Sequence, residues 1–127
     1  MDAKPLVIRT EERQLDGWDD PVKGRISWRT LFSSDNTPTE ALTAGVAELQ
    51  PGGWLGLHRH TPPEIYYVLE GSGIVSLDGA EHEVTAGAAV FIPGDCEHGI
   101  RNDGTVPLRF VYAFAVSSFG EVEYRFS

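Results

Sequence analysis

Three histidines and one glutamate are spaced so that they could act together. His58 and His60 are two residues apart in a predicted β-strand, so both imidazoles point to the same side of a sheet. After a proline-containing turn, Glu64 begins the next predicted strand, and antiparallel pairing would bring its carboxylate back beside the histidines. His98 comes from a separate strand pair. These four residues are candidate ligands of one metal ion.

Three imidazoles and one carboxylate form a ligand set of borderline softness. Such a set suits one divalent transition metal (Fe, Mn, Ni, Zn, Co or Cu) and leaves coordination positions open for substrate or water. A His-x-His pair alone is a weak signal, because a single histidine is more often an ordinary core or surface residue. The accompanying Glu64 and His98 strengthen the prediction of a metal centre.

Strand alternation indicates which other side chains approach these ligands. If His58 points inward, Trp54 does so too and Leu55 points outward. Tyr66 follows Glu64 by two residues and therefore faces the same side. A phenol beside a cation can act as a general base or acid, because the positive charge favours the phenolate. The alternative for Tyr66 is an aromatic residue that only packs in the interior.

Short β-strands must hold these residues. The 14 glycines and 8 prolines fall at short intervals between runs rich in β-branched and aromatic residues, a pattern typical of an all-β sandwich or barrel. Tight turns such as Asp78-Gly79 make successive strands mostly antiparallel. Eight strands are predicted: Ile26–Phe32, Leu42–Leu49, Trp54–His60, Glu64–Leu69, Gly73–Leu77, Glu81–Thr85, Ala89–Ile92 and Leu108–Val116.

Length and charge exclude several classes of protein. The 127 residues suffice for one domain, in which residues 1–24 form an N-terminal lead-in without a sustained pattern and residues 25–127 form the barrel. A net charge of −9 disfavours nucleic acids and anionic membrane surfaces as partners. No stretch is apolar enough for a membrane span, and the first residues lack the pattern of a secretory signal. We therefore expect a cytoplasmic protein.

The remaining residues of reactive type are expected to be structural. Cys96 is the one cysteine, which excludes an internal disulfide and a zinc site built on several thiolates. No basic residue flanks Cys96, and we expect a small, semi-buried filler. His82 lies beside Glu81 and Glu83 and is expected to face solvent.

Two motifs in this pattern resemble those of the cupin superfamily. The first cupin motif, G-x5-H-x-H-x3-4-E-x6-G, is matched at every fixed position: Gly52, His58, His60, Glu64 and Gly71. The second, G-x5-P-x-G-x2-H-x3-N, is matched at Gly87, Pro93, His98 and Asn102, but its second glycine is displaced by one position, to Gly94. The resemblance implies a double-stranded β-helix (jelly-roll) barrel that binds one metal through His58, His60, Glu64 and His98.

Outside the motifs, the chain is similar to the short cupin lyases that cleave dimethylsulfoniopropionate (DMSP). Shared features include Pro51-Gly52-Gly53, Glu64-Ile65-Tyr66 and the C-terminal stretch from Ser118 to Tyr124. The resemblance implies a small-molecule carboxylate substrate bound at the metal, and a tyrosine that removes the α-proton and expels dimethyl sulfide. Tyr66 and Tyr124 match the family tyrosines. We expect the cationic head of such a substrate to lie against an inward aromatic face such as Trp54 or Phe110.

Other functions are compatible with the same ligands. One is an Fe(II)-dependent cupin dioxygenase of a small carbonyl or aromatic compound, because open coordination positions would accept both O2 and substrate. Another is a non-catalytic cupin that binds a metal or a small ligand. We also expect a homodimer, since alternation turns the apolar side chains of Leu55, Leu57, Tyr67 and Leu69 outward.

Overall fold

The computed structural model describes residues 2–127, which contain eleven β-strands and two short 3₁₀ turns. The strands are β1 (Leu15–Asp20), β2 (Gly24–Phe32), β3 (Thr43–Leu49), β4 (Trp54–Arg59), β5 (Glu64–Glu70), β6 (Ser72–Leu77), β7 (Ala80–Thr85), β8 (Ala89–Ile92), β9 (His98–Arg101), β10 (Leu108–Phe114) and β11 (Arg125–Phe126). The turns are Thr10–Glu12 and Phe119–Glu121. The all-β fold class is confirmed, and all eight predicted strands are present.

The strands form one curled antiparallel sheet with two halves. One half has the order β1-β2-β3-β10-β5-β8, and the other has the order β7-β6-β9-β4-β11. A short pairing of β2 with β4, at Gly24 and Arg25, joins the halves. Because hydrogen bonds run continuously through the curled sheet, the two halves can face each other across one interior, which is the jelly-roll arrangement.

The core lies between the two halves. Leu49 and Phe110 enter it from one half, and Val75 and Ile100 from the other; all four are buried. Each buried aliphatic or aromatic side chain of this kind contributes roughly 1.5–3 kcal/mol through removal of apolar surface from water. The core therefore provides a rigid frame for polar side chains at one end of the barrel.

A bulge in β4 reverses part of the expected alternation. Leu55 pairs with Ile100 and His58 pairs with His98, so β4 takes three steps where β9 takes two. The extra residue turns both Leu55 and His58 inward, and both are buried. The expectation that Leu55 points outward and Trp54 inward is therefore wrong.

Trp54 lies on the outer surface of the barrel. It lines a groove of about 510 Å³ together with Leu57 and Arg101, and the Arg25 guanidinium sits 5.6 Å from the centre of its ring. The four apolar residues that were expected to face outward together, Leu55, Leu57, Tyr67 and Leu69, do not do so. Leu55 is interior, and Leu57 lies on a different half of the sheet from Tyr67 and Leu69, so these residues do not form one surface.

Three strands have no clear signal in the sequence. Strand β1 lies within residues 1–24 and pairs along its length with β2, although its sequence Leu-Asp-Gly-Trp-Asp-Asp is poor in strand-forming residues. Strands β9 and β11 contain only four and two residues. The domain boundary at residue 24 stays a prediction. No helix among residues 2–127 is long and apolar enough to cross a membrane.

Candidate metal centre

Three buried histidines meet at one end of the barrel. His58 lies on β4 and pairs directly with His98 at the start of β9, and His60 follows at the end of β4. All three side chains are inaccessible to solvent, and one ring nitrogen from each lies within 4.8 Å of the others. The predicted proximity of the three imidazoles is therefore present in the fold.

Backbone carbonyls fix the orientation of all three rings. The Nδ1 atoms of His58, His60 and His98 each lie 2.8 Å from a carbonyl oxygen, those of Gly56, Pro62 and Cys96 respectively. Because a carbonyl oxygen only accepts hydrogen bonds, each Nδ1 carries the proton and donates it. The lone pair of each Nε2 is thereby left free and directed into the centre.

Glu64 completes this cluster from the first residue of β5. Its Oε1 atom lies 3.1 Å from His60 Nε2 and 3.3 Å from His98 Nε2. With only Nδ1 protonated, both Nε2 atoms and the carboxylate oxygen are electron-pair donors that repel one another unless a metal cation or a second proton lies between them. The Glu64 side chain is only 3% exposed, so water does little to relieve this repulsion.

His58 provides the second indication of a cation. Its Nε2 atom is buried and has no hydrogen-bond partner among the described residues. Burial and the neighbouring His98 lower the pKa of His58 from 6.5 to about 3. The ring is therefore neutral at physiological pH, which is the form that binds metals. Three nitrogen donors and one carboxylate oxygen fit a divalent transition metal.

The turn before His98 accommodates the displaced glycine of the second cupin-like motif. Asp95 occupies the position where the motif has glycine and has a φ of 62°. Aspartate is among the few non-glycine residues that tolerate this left-handed conformation. A Cβ atom on Gly94 would lie 2.5 Å from the carbonyl oxygen of Thr61. Both residues thus suit a turn that delivers His98 to the centre.

A narrow interior cavity adjoins the histidines. Its volume is about 30 Å³, room for roughly two water molecules. Glu64 is the one charged residue among the described residues that line it. The other lining residues are Trp18, Ile26, Trp28, Ala47, Leu55, Tyr66, Phe110, Tyr112, Phe119 and Tyr124. The cavity is therefore largely aromatic.

The two candidate catalytic tyrosines both reach this cavity. The Tyr66 ring centre lies 6.3 Å from that of His98, and the Tyr124 ring stacks on His58 at 4.8 Å. Burial raises the pKa of each phenol well above its ordinary value, and the Glu64 carboxylate adds to the rise. In the absence of a nearby cation, both side chains are neutral O–H donors at physiological pH.

The other sequence candidates are divided between interior and surface. Phe110 lines the cavity with its ring 4.6 Å from Tyr66. Trp54, expected beside it, lies outside the cavity because of the β4 bulge. Cys96 is buried and holds His98 through its carbonyl oxygen. His82 is exposed on β7.

Sequence reasoning missed most of the cavity wall. Trp18 and Trp28 arrive from β1 and β2, and Phe119 arrives from the second 3₁₀ turn. The turn is held by a backbone N–H of Phe119 that donates to the buried Ser33 hydroxyl at 3.0 Å. The available sequence signal was the presence of aromatic residues: Trp18 and Phe119 lie near the ends of the chain where no strand was predicted, and Trp28 lies within the predicted strand Ile26–Phe32.

Comparison with known proteins gives both a family and a similar enzyme. Residues 45–114 match the Cupin_2 model of the cupin domain. Dimethylsulfoniopropionate lyase DddW of Ruegeria pomeroyi is 49% identical over 123 residues, covering 97% of this chain and 80% of that protein. The oxalate-binding protein of Thermotoga maritima is 32% identical over 90 residues, covering 70% of this chain and 74% of that protein.

Solved structures with the same architecture span nearly the whole chain. A predicted oxalate decarboxylase from Thermotoga maritima has a TM-score of 0.77 at 26% identity, covering 87% of this chain and 99% of that one. A cupin-2 domain from Rhodospirillum rubrum has a TM-score of 0.79 at 20% identity, covering 100% of this chain and 83% of that one. The second likeness concerns the fold alone.

Proposed function

Because the chain belongs to the Cupin_2 family, we propose that it is a metal-dependent lyase that cleaves DMSP or a related β-substituted carboxylate. The observation that carries the proposal is a buried three-histidine, one-glutamate cluster beside two buried phenols in a chain 49% identical to a DMSP lyase.

We assign the metal to His58, His60, Glu64 and His98. The free Nε2 lone pairs and the Glu64 oxygen that faces two of them support this assignment. When bound, a divalent transition metal would supply positive charge that polarises a substrate carboxylate and lowers the pKa of a neighbouring phenol. Fe, Mn, Ni, Zn, Co and Cu are all compatible with this ligand set.

Tyr66 is the proposed base. Its phenolate oxygen takes the proton from the carbon next to the substrate carboxylate, and the released electron pair forms the carbon–carbon double bond. The carbon–sulfur bond breaks with its electron pair moving to sulfur, so neutral dimethyl sulfide and acrylate leave. Exclusion of water by the surrounding aromatic wall favours this transfer, because no solvent competes for the proton.

Tyr124 is the second proposed catalytic group. It stacks on His58 on the side of the cavity formed by the C-terminal segment. In its protonated form, the Tyr124 O–H group can donate a hydrogen bond to the substrate carboxylate. Phe110 is proposed to contact substrate through the cavity wall.

The test is acrylate release from DMSP by metal-loaded protein. We expect Tyr66→Phe to lower kcat by roughly 10²- to 10⁴-fold with metal content unchanged, because it removes the proton acceptor. Tyr67→Phe is the matched control, since Tyr67 is the next residue along β5 and is 47% exposed. Acrylate and dimethyl sulfide are measured by chromatography. Undiminished turnover in Tyr66→Phe would remove this residue as the base.

The same assays distinguish the other two functions. Oxygen uptake with a catechol or a diketone, without acrylate from DMSP, would select a cupin dioxygenase. Metal or ligand binding without turnover of any of these compounds would select a non-catalytic cupin. The proposal of a lyase requires acrylate from DMSP in the absence of oxygen consumption.

We also propose a homodimer. The outer face of β5 and β8 carries a patch of exposed apolar side chains, Ile65, Tyr67, Leu69 and Phe91, of which Ile65 and Phe91 are cross-strand partners. A contiguous apolar face of this kind is typical of a protein–protein contact. Cytoplasmic location likewise stays a proposal, supported by the single cysteine.

A further inference from the structure

Two aromatic rings form a wall of the cavity that the family match does not include. Trp28 and Phe119 both line the cavity, and their rings lie nearly parallel, 11° apart, with centres separated by 6.3 Å. Both residues fall outside residues 45–114, the part that matches the cupin domain. They come from β2 and the second 3₁₀ turn, which flank the matched segment on either side.

The charges around this wall favour a cation over an anion. No lysine or arginine is among the described residues that line the cavity, and its one charged residue is Glu64. Aromatic rings present negative electrostatic potential on their faces and attract cations there. The carboxylate end of a substrate has its partner in the proposed metal site, so the aromatic wall is left for the other end.

Trp28 is a better candidate for this role than Trp18. The ammonium group of Lys23 already lies 5.2 Å from the centre of the Trp18 ring. A second cation near the same indole would be repelled by that charge. The Trp28 ring packs edge-to-face with Trp18 at 4.9 Å and parallel to Phe119, and no cation is recorded over it among the described residues.

We infer that Trp28 and Phe119 form a subsite for an onium group, so that the preferred ligands are small carboxylates with a sulfonium or quaternary ammonium end. This inference rests on the proposed function for the position of the carboxylate. It goes beyond that function in assigning recognition of the positive charge to two residues of this chain. A purely apolar substrate tail would pack on the same wall without any preference for charge.

A matched pair of ligands separates charge recognition from packing. 3-(Trimethylammonio)propanoate and 4,4-dimethylpentanoate have the same shape and differ in having nitrogen or carbon at the head. We expect metal-loaded protein to bind the cationic compound roughly five- to thirty-fold more tightly, as measured by titration calorimetry. Equal binding, or tighter binding of the neutral compound, would overturn the inference without any variant being made.

Substitutions then locate the effect. Trp28→Leu and Phe119→Leu are each expected to bring the ratio of the two affinities close to one, whereas Trp28→Phe retains part of it. Trp54→Leu is the control, because Trp54 lies in the outer groove, and it should keep the full ratio. If folded, metal-loaded Trp28→Leu and Phe119→Leu kept the wild-type ratio of the two affinities, the assignment would be overturned.

The readout also separates this inference from the proposed function. Preference for the cationic compound in a protein that yields no acrylate from DMSP would support onium recognition and contradict the lyase. Acrylate production by a protein that binds both compounds equally would support the lyase and contradict onium recognition.

Discussion

Each of the three buried histidines uses its two ring nitrogens differently. One nitrogen donates to a backbone carbonyl at 2.8 Å, and the other is left with its lone pair directed into the centre. The backbone thus selects the tautomer, and the tautomer decides where a metal can bind. The Glu64 carboxylate lies beside two of these Nε2 atoms, so a metal cation or a second proton would stabilise the cluster.

Removing one histidine should release the metal. We expect His98→Ala to weaken metal binding by roughly 10²-fold or more, because it deletes one of four ligands and the others keep their positions. His82→Ala is the control, since His82 is exposed on β7. Metal content after dialysis against a competing chelator measures the difference. Full occupancy in His98→Ala would contradict the ligand assignment.

Metal-free protein should lose stability as pH falls. His58 has a pKa of about 3 in the folded state against an ordinary value of 6.5. Between these values the unfolded chain binds a proton at His58 that the folded protein does not. The free energy of unfolding therefore falls with decreasing pH, by up to about 1.4 kcal/mol per pH unit from this group.

Urea unfolding of the metal-stripped protein at several pH values measures this dependence. His58→Gln should reduce the slope of the unfolding free energy against pH, between pH values of about 3 and 6.5, by the amount that corresponds to nearly one bound proton. His82→Gln, at an exposed position, should leave the slope unchanged. A His58→Gln protein with the wild-type slope would show that His58 does not titrate in this way.

Local irregularities in two elements place the ligands. The bulge in β4 shifts the inward-facing positions by one residue, so that His58 faces inward after Leu55, and Gly56 lies within it. A Cβ at Gly56 would lie 2.2 Å from the carbonyl oxygen of Val22, so the bulge is packed tightly against the β1–β2 turn. Asn102 anchors the far end of β9 through its side-chain N–H groups, which donate to Leu49 and Val106 at 2.9 and 2.8 Å.

Gly94 and Asp95, in the turn before β9, should respond differently to substitution. Gly94→Ala should lower the free energy of unfolding by roughly 1–3 kcal/mol, because the new Cβ meets the Thr61 carbonyl. Asp95→Gly should stay within about 1 kcal/mol of wild type, since relief of left-handed strain offsets loss of the exposed ion pair with Arg125. Asp95→Ala keeps the strain and loses the ion pair.

Chemical denaturation of the metal-free variants separates these effects. The expected order of stability is wild type and Asp95→Gly together, followed by Asp95→Ala, with Gly94→Ala also below wild type. If Asp95→Ala proved as stable as Asp95→Gly, the positive φ at this position would have no energetic consequence.

At the scale of the whole molecule, the two ends of the chain close the barrel. Strand β1 supplies Trp18, and the C-terminal segment supplies Tyr124 and Phe126, whose rings pack on Trp18 at 5.7 and 5.6 Å. Strand β11 pairs with β4 through only two residues. Because the cavity has room for only about two waters, we expect this cover to move outward when a substrate enters.

The apolar patch on β5 and β8 predicts association of two copies. We expect Phe91→Glu to shift the protein from dimer to monomer, because it places a charge on a side chain that is 66% exposed within the patch. Val106→Glu is the control, since Val106 is 55% exposed in the turn before β10. Sedimentation equilibrium measures both. A monomeric wild type would contradict the proposed dimer, and high salt should favour association because each copy carries −9.

The sequence by itself determined eight of the eleven strands, the fold class and the grouping of three histidines. Alternation of apolar residues, short Gly and Pro turns, and the spacing of His58, His60, Glu64 and His98 are local patterns, and local patterns survive in the linear sequence. Tyr66 reached the cavity for the same reason, because it shares a regular strand with Glu64.

Only the tertiary structure decided what surrounds the candidate metal centre. Because of the β4 bulge, Leu55 faces the interior and Trp54 does not. One extra residue reverses the direction of the side chains on either side of it, and the alternation of residue types in the sequence does not reveal it. Trp18, Trp28 and Phe119 joined the cavity because packing brings both ends of the chain over the barrel. Such contacts depend on which distant surfaces bury each other, and that information is not contained in any single stretch of sequence.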